Sequence, residues 1–137
     1  MEQDPHTDEQ IRNILSLNSV AVVGMSNNSS KAAHYVPKYI LDNGYNVIPV
    51  NPTHEQILGK KCYDSVSEIG ECIDIVNVFR PSEQVLPVIL DAIKKKPKVI
   101  WLQEGIPNSE AEDLARKERI EIVFNRCMYA EHQRLSK

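Results

Sequence analysis

The sequence predicts an α/β fold: an open, doubly wound sheet of five parallel strands with helices on both faces. Short runs rich in valine and isoleucine alternate with segments of helical periodicity along the whole chain. These runs are almost continuously apolar, whereas a strand with one face in water alternates apolar and polar residues. Buried strands separated by helices indicate right-handed β–α–β crossovers, and we expect the strand order 3-2-1-4-5.

The predicted strands end at glycine, proline or polar residues, which mark the points where the chain leaves the sheet. The first run ends in Gly24, the second in Asn51-Pro52 and the third in Arg80-Pro81. In chain order the five predicted strands are Ser19–Val23, Asn46–Val50, 73–79, Val99–Leu102 and 120–124.

The helices are predicted from apolar residues at helical spacing and from capping signals. The helix after the first strand stops at Asn43-Gly44, which is a C-cap signal. Ser82 is the expected N-cap of a later helix, and Ser109-x-x-Glu112 has the form of a capping box. We expect helices at residues 10–17, 31–41, 82–96, 108–119 and 129–135, with a shorter one at 65–69.

The composition indicates one Rossmann-like domain over the 137 residues, with its core at about 11–135. The chain is 42% hydrophobic and 26% charged, and its net charge of −3 gives no reason to expect a nucleic-acid partner. No apolar run approaches the roughly 20 residues that span a bilayer, and the polar first ten residues do not resemble a signal peptide. Three widely spaced cysteines argue against a disulfide framework or a zinc site, so we expect a cytoplasmic protein without a membrane partner.

The segment after the first strand predicts a phosphate-binding loop. In open α/β sheets, ligands bind beyond the carboxyl ends of the strands, at the switch point beside the first strand. Gly24 permits a tight turn there, and the serines and asparagines of residues 26–30 lead into a helix N-terminus, which favours anions. Lys31 adds a cation at the same place. The alternative is a polar loop in which Ser30 merely caps the helix.

This loop lacks the dinucleotide fingerprint G-x-G-x-x-G. Ser26 and Ser29 stand where the second and third glycines would be. An NAD-binding domain also ends its second strand in an acidic residue that holds the ribose, and Asn51 follows the second strand here. Both departures weigh against NAD.

Four strand-end segments together resemble the small stand-alone CoA-binding domain proteins. The resemblance extends from about residue 11 to residue 135, and the same domain opens the α subunit of succinyl-CoA synthetase. Glu104-Gly105-Ile106-Pro107 is similar to the E-G-I-P of that subunit, and Asn125-x-Cys127 to part of its P-N-C-P-G. The four segments are V-V-G-M-S at 22–26, G-Y-N-V-I-P-V-N-P at 44–52, I-D-I-V-N-V-F-R at 73–80 and V-I-W-L-Q-E-G at 99–105.

The resemblance implies coenzyme A as the ligand, and it implies which segments of the chain contact each part of coenzyme A. It implies that Gly24, Ser26 and the following loop meet the nucleotide and that residues 50–52 flank the adenosine or its phosphates. Residues 79–81 and Gln103 would then line the pantetheine path. The expected binding residues are Gly24, Met25, Ser26, Lys31, Val50, Asn51, Pro52, Phe79, Arg80, Pro81, Gln103, Gly105, Asn125 and Cys127.

Two residues have chemistry of their own. Arg80 follows a strand at the switch face, and its planar guanidinium matches phosphate geometry; the alternative is a salt bridge to Glu83 or Glu104. Cys127 lies beside Arg126, and a neighbouring cation promotes thiol reactivity; the favoured alternative is a small packing residue.

No catalytic residue is predicted. The sequence contains neither a Ser-His-Asp order nor H-E-x-x-H. The phosphorylated histidine of the synthetase lies in a second domain without counterpart in these 137 residues, so ligase chemistry is not expected. We therefore expect a non-catalytic protein that binds CoA or acyl-CoA as a carrier, a sensor or a module for a protein partner. The alternatives are an enzyme or redox sensor that uses Cys127 on CoA or acyl-CoA and, on fold alone, an NAD(P)-binding regulatory domain.

Overall fold

A computed structural model describes residues 3–106 and 108–136 and contains a central parallel sheet, a small hairpin and flanking helices. Two short 3-10 turns, Val66–Glu68 and Ile93–Lys95, complete the connections. The elements are α1 (Asp8–Leu15), β1 (Ser19–Val23), α2 (Ala32–Asp42), β2 (Asn46–Val50), β3 (Gln56–Ile57), β4 (Lys60–Lys61), β5 (Ile75–Val78), α3 (Ser82–Ala92), β6 (Val99–Leu102), α4 (Ser109–Lys117), β7 (Glu121–Val123) and α5 (Met128–Leu135).

The sheet confirms the α/β, Rossmann-like fold class. Its five strands lie in the order β2-β1-β5-β6-β7, and every neighbouring pair is parallel. Val22, near the end of β1, lies between Pro49 of β2 and Asn77 of β5. The carboxyl ends of β1, β2 and β5 therefore meet at one edge of the sheet.

The position of the third sheet strand differs from the expectation. Counted among the five, the observed order is 2-1-3-4-5, so the expected 3-2-1-4-5 was wrong in placing the third strand beside the second. In right-handed crossovers, the face on which a connection packs determines the direction of the next strand. α2 packs on one face through Val36 and Ile40, whereas the connection from β2 to β5 packs on the opposite face through Val66 and Ile69. After β2, the following strands are therefore added on the other side of β1, and the switch point lies between β1 and β5.

The two faces of the sheet bury separate apolar layers, which explains why the strands are apolar throughout. Val20 and Val22 of β1 pack in the layer formed with α1, α2 and α5. Ala21 and Val23 of the same strand pack in the layer formed with α3 and α4. The strands are thus buried on both faces, and the loops that follow their carboxyl ends form one edge of the sheet.

The helix ends differ from the predicted caps. The N-cap of α3 is Pro81, and Ser82 is its first residue. Asn108, rather than Ser109, caps α4, and its side chain accepts a hydrogen bond from the Ala111 amide. Gly44 follows α2 at φ +93°, as the C-cap signal predicted. Among residues 3–106 and 108–136, no helix has both the length and the apolarity that a bilayer crossing requires.

Candidate functional site

Gly24 brings the ends of β1 and β5 into close contact. Its backbone has φ +84°, and a Cβ atom at this position would lie 2.3 Å from the Phe79 carbonyl oxygen and 3.3 Å from Cδ of Arg80. The Gly24 amide also donates a 2.9 Å hydrogen bond to the Val50 carbonyl of β2. A side chain larger than hydrogen does not fit here, so Gly24 sets the distance between the loops at the switch point.

The loop after Gly24 is held by its own contacts. The Ser26 amide donates to the Ala33 carbonyl at 3.0 Å, and the Ser26 carbonyl lies 2.7 Å from Nδ1 of the buried His34. The Met25 side chain is fully buried in the core, so it packs inward and does not face a ligand. Residues 27–31 are exposed, and Lys31 precedes α2 without any side-chain cap on that helix.

The loops after β6 and β7, on the other side of β5, are also joined by hydrogen bonds. The side-chain Oδ1 of Asn125, which has φ +53°, accepts a 3.1 Å hydrogen bond from the Gly105 amide. Gln103 is 5% exposed, and its Oε1 accepts a hydrogen bond from the Met128 amide at 3.2 Å. Cys127 is the N-cap residue of α5 and is half-buried. The loops after β6 and β7 therefore form one wall of the site.

These loops surround a cavity of about 410 Å³ at the carboxyl edge of the sheet. One wall is the beginning of α2, another is the loop after β5, and the third consists of the loops after β6 and β7. Its lining residues are Lys31, Ala32, Ala33, Tyr35, Phe79, Arg80, Pro81, Gln103, Glu104, Ile106 and Cys127.

A second, smaller cavity of about 230 Å³ opens beside the ends of β1 and β2. Val23, Val50 and Val66 supply its apolar floor. Arg80 lines both cavities and therefore stands between them. The remaining lining residues are Pro52, Asp64, Ser65, Pro87, Val88 and Asp91.

Two cations at this edge have no anionic partner among residues 3–106 and 108–136. In the described part of the chain, neither Lys31 nor Arg80 has a carboxylate oxygen within 4.0 Å. Arg80 therefore does not form the alternative salt bridge to Glu83 or Glu104. Lys31 and the uncapped N-terminus of α2 favour an anion on that side of the larger cavity, while Glu104 also lines this cavity and Asp64 and Asp91 line the smaller one.

The structure brings most of the expected residues together in and between these cavities. Met25 and Asn51 instead connect the loops after β1 and β2, since the Asn51 side chain donates a hydrogen bond to the Met25 carbonyl. Gly105 and Asn125 likewise connect two loops. Lys31, Phe79, Arg80, Pro81, Gln103 and Cys127 share the larger cavity, and Val50 and Pro52 line the smaller one with Arg80.

Several lining residues were not anticipated from the sequence. Tyr35 lies one helical turn after Lys31, and that spacing could have placed it on the same face of α2. Asp64 and Asp91 belong to the smaller cavity, but no strand-end rule points to their segments. Pro107, the last residue of the E-G-I-P segment, lies outside the described residues.

Comparison with known proteins identifies the family. A family model described as a CoA binding domain matches residues 18–133. The chain belongs to the CoA binding domain family. Protein YneT of Bacillus subtilis (strain 168) is 38% identical over 131 residues, which are 95% of this chain and 96% of YneT. The structure of a hypothetical protein from Pyrococcus horikoshii OT3 has a TM-score of 0.95 and 42% identity, and the match covers 100% of both chains.

The chain also matches part of a larger enzyme. Acetate–CoA ligase (ADP-forming) of Methanocaldococcus jannaschii is 28% identical over 129 residues. The match covers 88% of this chain but 18% of the ligase. The resemblance drawn from the strand-end segments is thus confirmed at the level of the CoA binding domain family.

Proposed function

We propose that this chain binds coenzyme A or an acyl-CoA across the two cavities that meet at Arg80. The observation that carries the proposal is Arg80 itself, which lines both cavities and has no carboxylate partner in the described residues. An unpaired arginine at the switch point offers a planar set of donors for a phosphate or diphosphate group. Membership of the CoA binding domain family supports the choice of CoA among phosphate-bearing ligands.

The larger cavity suits the pantetheine arm. That arm alternates apolar carbons with amide groups, and the cavity combines apolar walls from Phe79 and Ile106 with a buried amide from Gln103. Lys31 and the beginning of α2 lie on the same cavity, where phosphate oxygens would receive donors. The smaller, more apolar cavity suits the flat adenine ring.

We propose binding, and not turnover, as the role of the site: that of a carrier, a sensor or a module for a protein partner. Lys31, Arg80 and Gln103 supply charge and hydrogen-bond donors, which hold a ligand. A catalytic site would instead pair a nucleophile with an oriented base. The three cysteines are free, which supports a reducing compartment such as the cytoplasm.

Calorimetric titration with CoA, acetyl-CoA, NAD and ATP tests the proposal. We expect CoA or acetyl-CoA to bind most tightly and, at 100 times its dissociation constant, to stabilise the fold by about 2.7 kcal/mol. A chain that bound NAD but not CoA would contradict the proposal.

Charge-removing variants locate the site. Arg80→Gln and Lys31→Gln should each weaken CoA binding by about 10- to 100-fold, because a hydrogen bond to a charged group contributes about 1.5–3 kcal/mol. Arg119→Gln and Lys94→Gln are matched controls, since both side chains are exposed and precede strands at the opposite edge of the sheet. Equal affinities for Arg80→Gln and Arg119→Gln would show that the phosphates bind elsewhere.

A further inference from the structure

The outward face of α3 carries an apolar patch that the proposed binding site does not use. Leu90 is 53% exposed, and in the part of the chain that the structure describes only Tyr35, at 47%, is a comparably exposed large apolar residue. Tyr35 lines the larger cavity, whereas Leu90 lines neither cavity at the carboxyl edge. Pro87, at the border of the smaller cavity, is also exposed, and the partly buried Leu86 lies beside it. Contiguous exposed apolar surface of this kind marks a place for a partner.

Charged residues stand at both ends of this patch. Residues 83, 87, 90 and 94 recur at helical spacing, so they form one line along α3 and the turn that follows it, here called the outer line. The line begins at Glu83, in the first turn of α3, and ends at Lys94. All four residues are exposed, and in the described part of the chain neither charged residue has an oppositely charged group within 4.0 Å. The outer line is thus acidic at its beginning, apolar in its middle and basic at its end.

Pro87 adds an acceptor to the acidic end of the outer line. Because proline has no N–H, Pro87 cannot donate to the carbonyl of Glu83, four residues earlier in the helix. That carbonyl therefore lacks the regular hydrogen bond of the helix and lies on the same line as the Glu83 carboxylate. The two oxygens together suit an ammonium group, which has three donors.

We propose that α3 is the interface of a homodimer, in which it pairs antiparallel with α3 of a second copy. In a two-fold dimer the same surface patch meets itself, so the patch must be complementary to itself. The midpoint between Glu83 and Lys94 is also the midpoint between Pro87 and Leu90. One two-fold axis through this point therefore places Glu83 of each copy opposite Lys94 of the second copy. The same axis places Pro87 opposite Leu90 in the apolar middle.

The length of α3 sets the expected strength of the dimer. A helix of 11 residues is about 16 Å long, so a single pair of such helices lies at the small end of specific interfaces. We expect a weak dimer, with monomers prevailing at about 1 µM and dimers at about 1 mM. Because the outer line makes no use of the proposed ligand, the ligand-free chain should associate in this way.

Sedimentation equilibrium of the ligand-free chain over this concentration range measures the association. Leu90→Ser removes the apolar middle and should weaken the dimer at least about tenfold. Glu83→Lys and Lys94→Glu should each weaken it at least about tenfold, because like charges then face each other at both ends. The double variant Glu83→Lys/Lys94→Glu restores opposite charges and should recover the affinity to within about threefold.

Glu9→Lys is the matched control, since Glu9 is exposed in the first turn of α1, a helix that packs on the opposite face of the sheet. It should leave the association unchanged. Urea denaturation of each variant separates a lost interface from a lost fold. A chain that stays monomeric at the highest concentration would refute the dimer. A dimer that withstands Leu90→Ser and both charge reversals would refute α3 as its interface, and single losses without recovery in the double variant would refute the antiparallel pairing.

Discussion

The side chain of Asn51 donates a hydrogen bond of 2.8 Å from Nδ2 to the main-chain carbonyl of Met25. This bond joins the loops that follow the two neighbouring strands β2 and β1. The Oδ1 of Asn51 is also occupied, because it accepts from the amide and the hydroxyl of Thr53. Asn51 is buried, with 9% of its surface exposed, so the amide fixes the shape of the strand-end loops from within.

Asn51→Asp should therefore destabilise the fold, although it replaces only the side-chain NH2 group with an oxygen atom. A carboxylate would place an oxygen against the Met25 carbonyl, where a donor now stands. We expect a loss of about 1–3 kcal/mol in the free energy of unfolding at neutral pH, measured by urea denaturation. Asn27→Asp is the control, since Asn27 is exposed. A free energy of unfolding that responded equally to both changes would contradict the structural role of Asn51.

Alanine variants at Gly24 and Gly44 distinguish the cost of backbone strain from the cost of steric overlap. Both have positive φ, +84° and +93°, but a Cβ at Gly44 would meet nothing within 4 Å. Gly44→Ala should cost about 1–2 kcal/mol, the penalty for a left-handed backbone. Gly24→Ala adds the overlap with the Phe79 carbonyl and should cost at least about 1–3 kcal/mol more. Urea denaturation of both variants checks the difference, and equal losses would exclude the close approach at Gly24.

Most of the fold could be predicted from the sequence because its signals are local. β1, β2 and β6 have the predicted bounds, since each is a continuous apolar run closed by a turn signal. The strand order could not be predicted in the same way, because it depends on which face the β2–β5 connection packs against. The β3–β4 hairpin was missed, since two-residue strands carry no periodicity.

The site could be predicted in its location and only partly in its detail. The strand-end rule identified Lys31, Arg80 and Gln103, because in parallel sheets the carboxyl ends of strands meet at one edge. The same rule included Met25 and Asn51, whose side chains turn inward. A sequence shows which residues follow a strand but not where each side chain points, so supporting and contacting residues look alike.

Asp74 predicts a specific acid sensitivity. Its Oδ2 accepts hydrogen bonds from the amides of Asn18 at 3.0 Å and Ser19 at 3.1 Å. Desolvation by partial burial opposes ionisation, but these donors and Lys98 outweigh it and hold the pKa of Asp74 below its usual range. A lowered pKa in the folded state stabilises the fold above the unfolded value of about 3.9, and this contribution is lost as the pH falls through the folded pKa.

The variant Asp74→Asn should therefore be less stable than the unmodified chain at neutral pH. The difference should begin to shrink as the pH falls below about 4, where the unfolded carboxylate is protonated, and should be lost as the pH falls through the lowered pKa of the folded state. Asp8 provides a contrast: its hydrogen bond from Arg134 lowers its pKa, but the pair is exposed. About 1 M salt should remove the effect of Asp8→Asn and leave that of Asp74→Asn. A pH-independent difference for Asp74→Asn, in urea titrations from neutral to acid pH, would contradict this assignment.

The N-terminal segment is held against the outer strand of the sheet by Arg126. The Nε of Arg126 donates to Oδ1 of Asp4 at 3.0 Å, and one guanidinium nitrogen donates to the His6 carbonyl at 2.7 Å. The other carboxylate oxygen of Asp4 accepts from the amide of Phe124, just after β7. The side chains of Arg126 and Asp4 are 16% and 1% exposed, so this ion pair is shielded from water.

Removing either partner should leave a buried charge with only its second partner, which is Glu131 for Arg126 and His6 for Asp4. Asp4→Asn and Arg126→Gln should each lower the free energy of unfolding by about 1.5–3 kcal/mol, the contribution of a hydrogen bond to a charged group, whereas Lys38→Gln, in the exposed Lys38–Asp42 pair, should cost about 0.5 kcal/mol or less. Because the two residues share one interaction, the double variant should lose less than the sum of the single losses. Hydrogen exchange of the Phe124 amide should become faster in Asp4→Asn. Additive losses with unchanged exchange would show that the segment is not held by this pair.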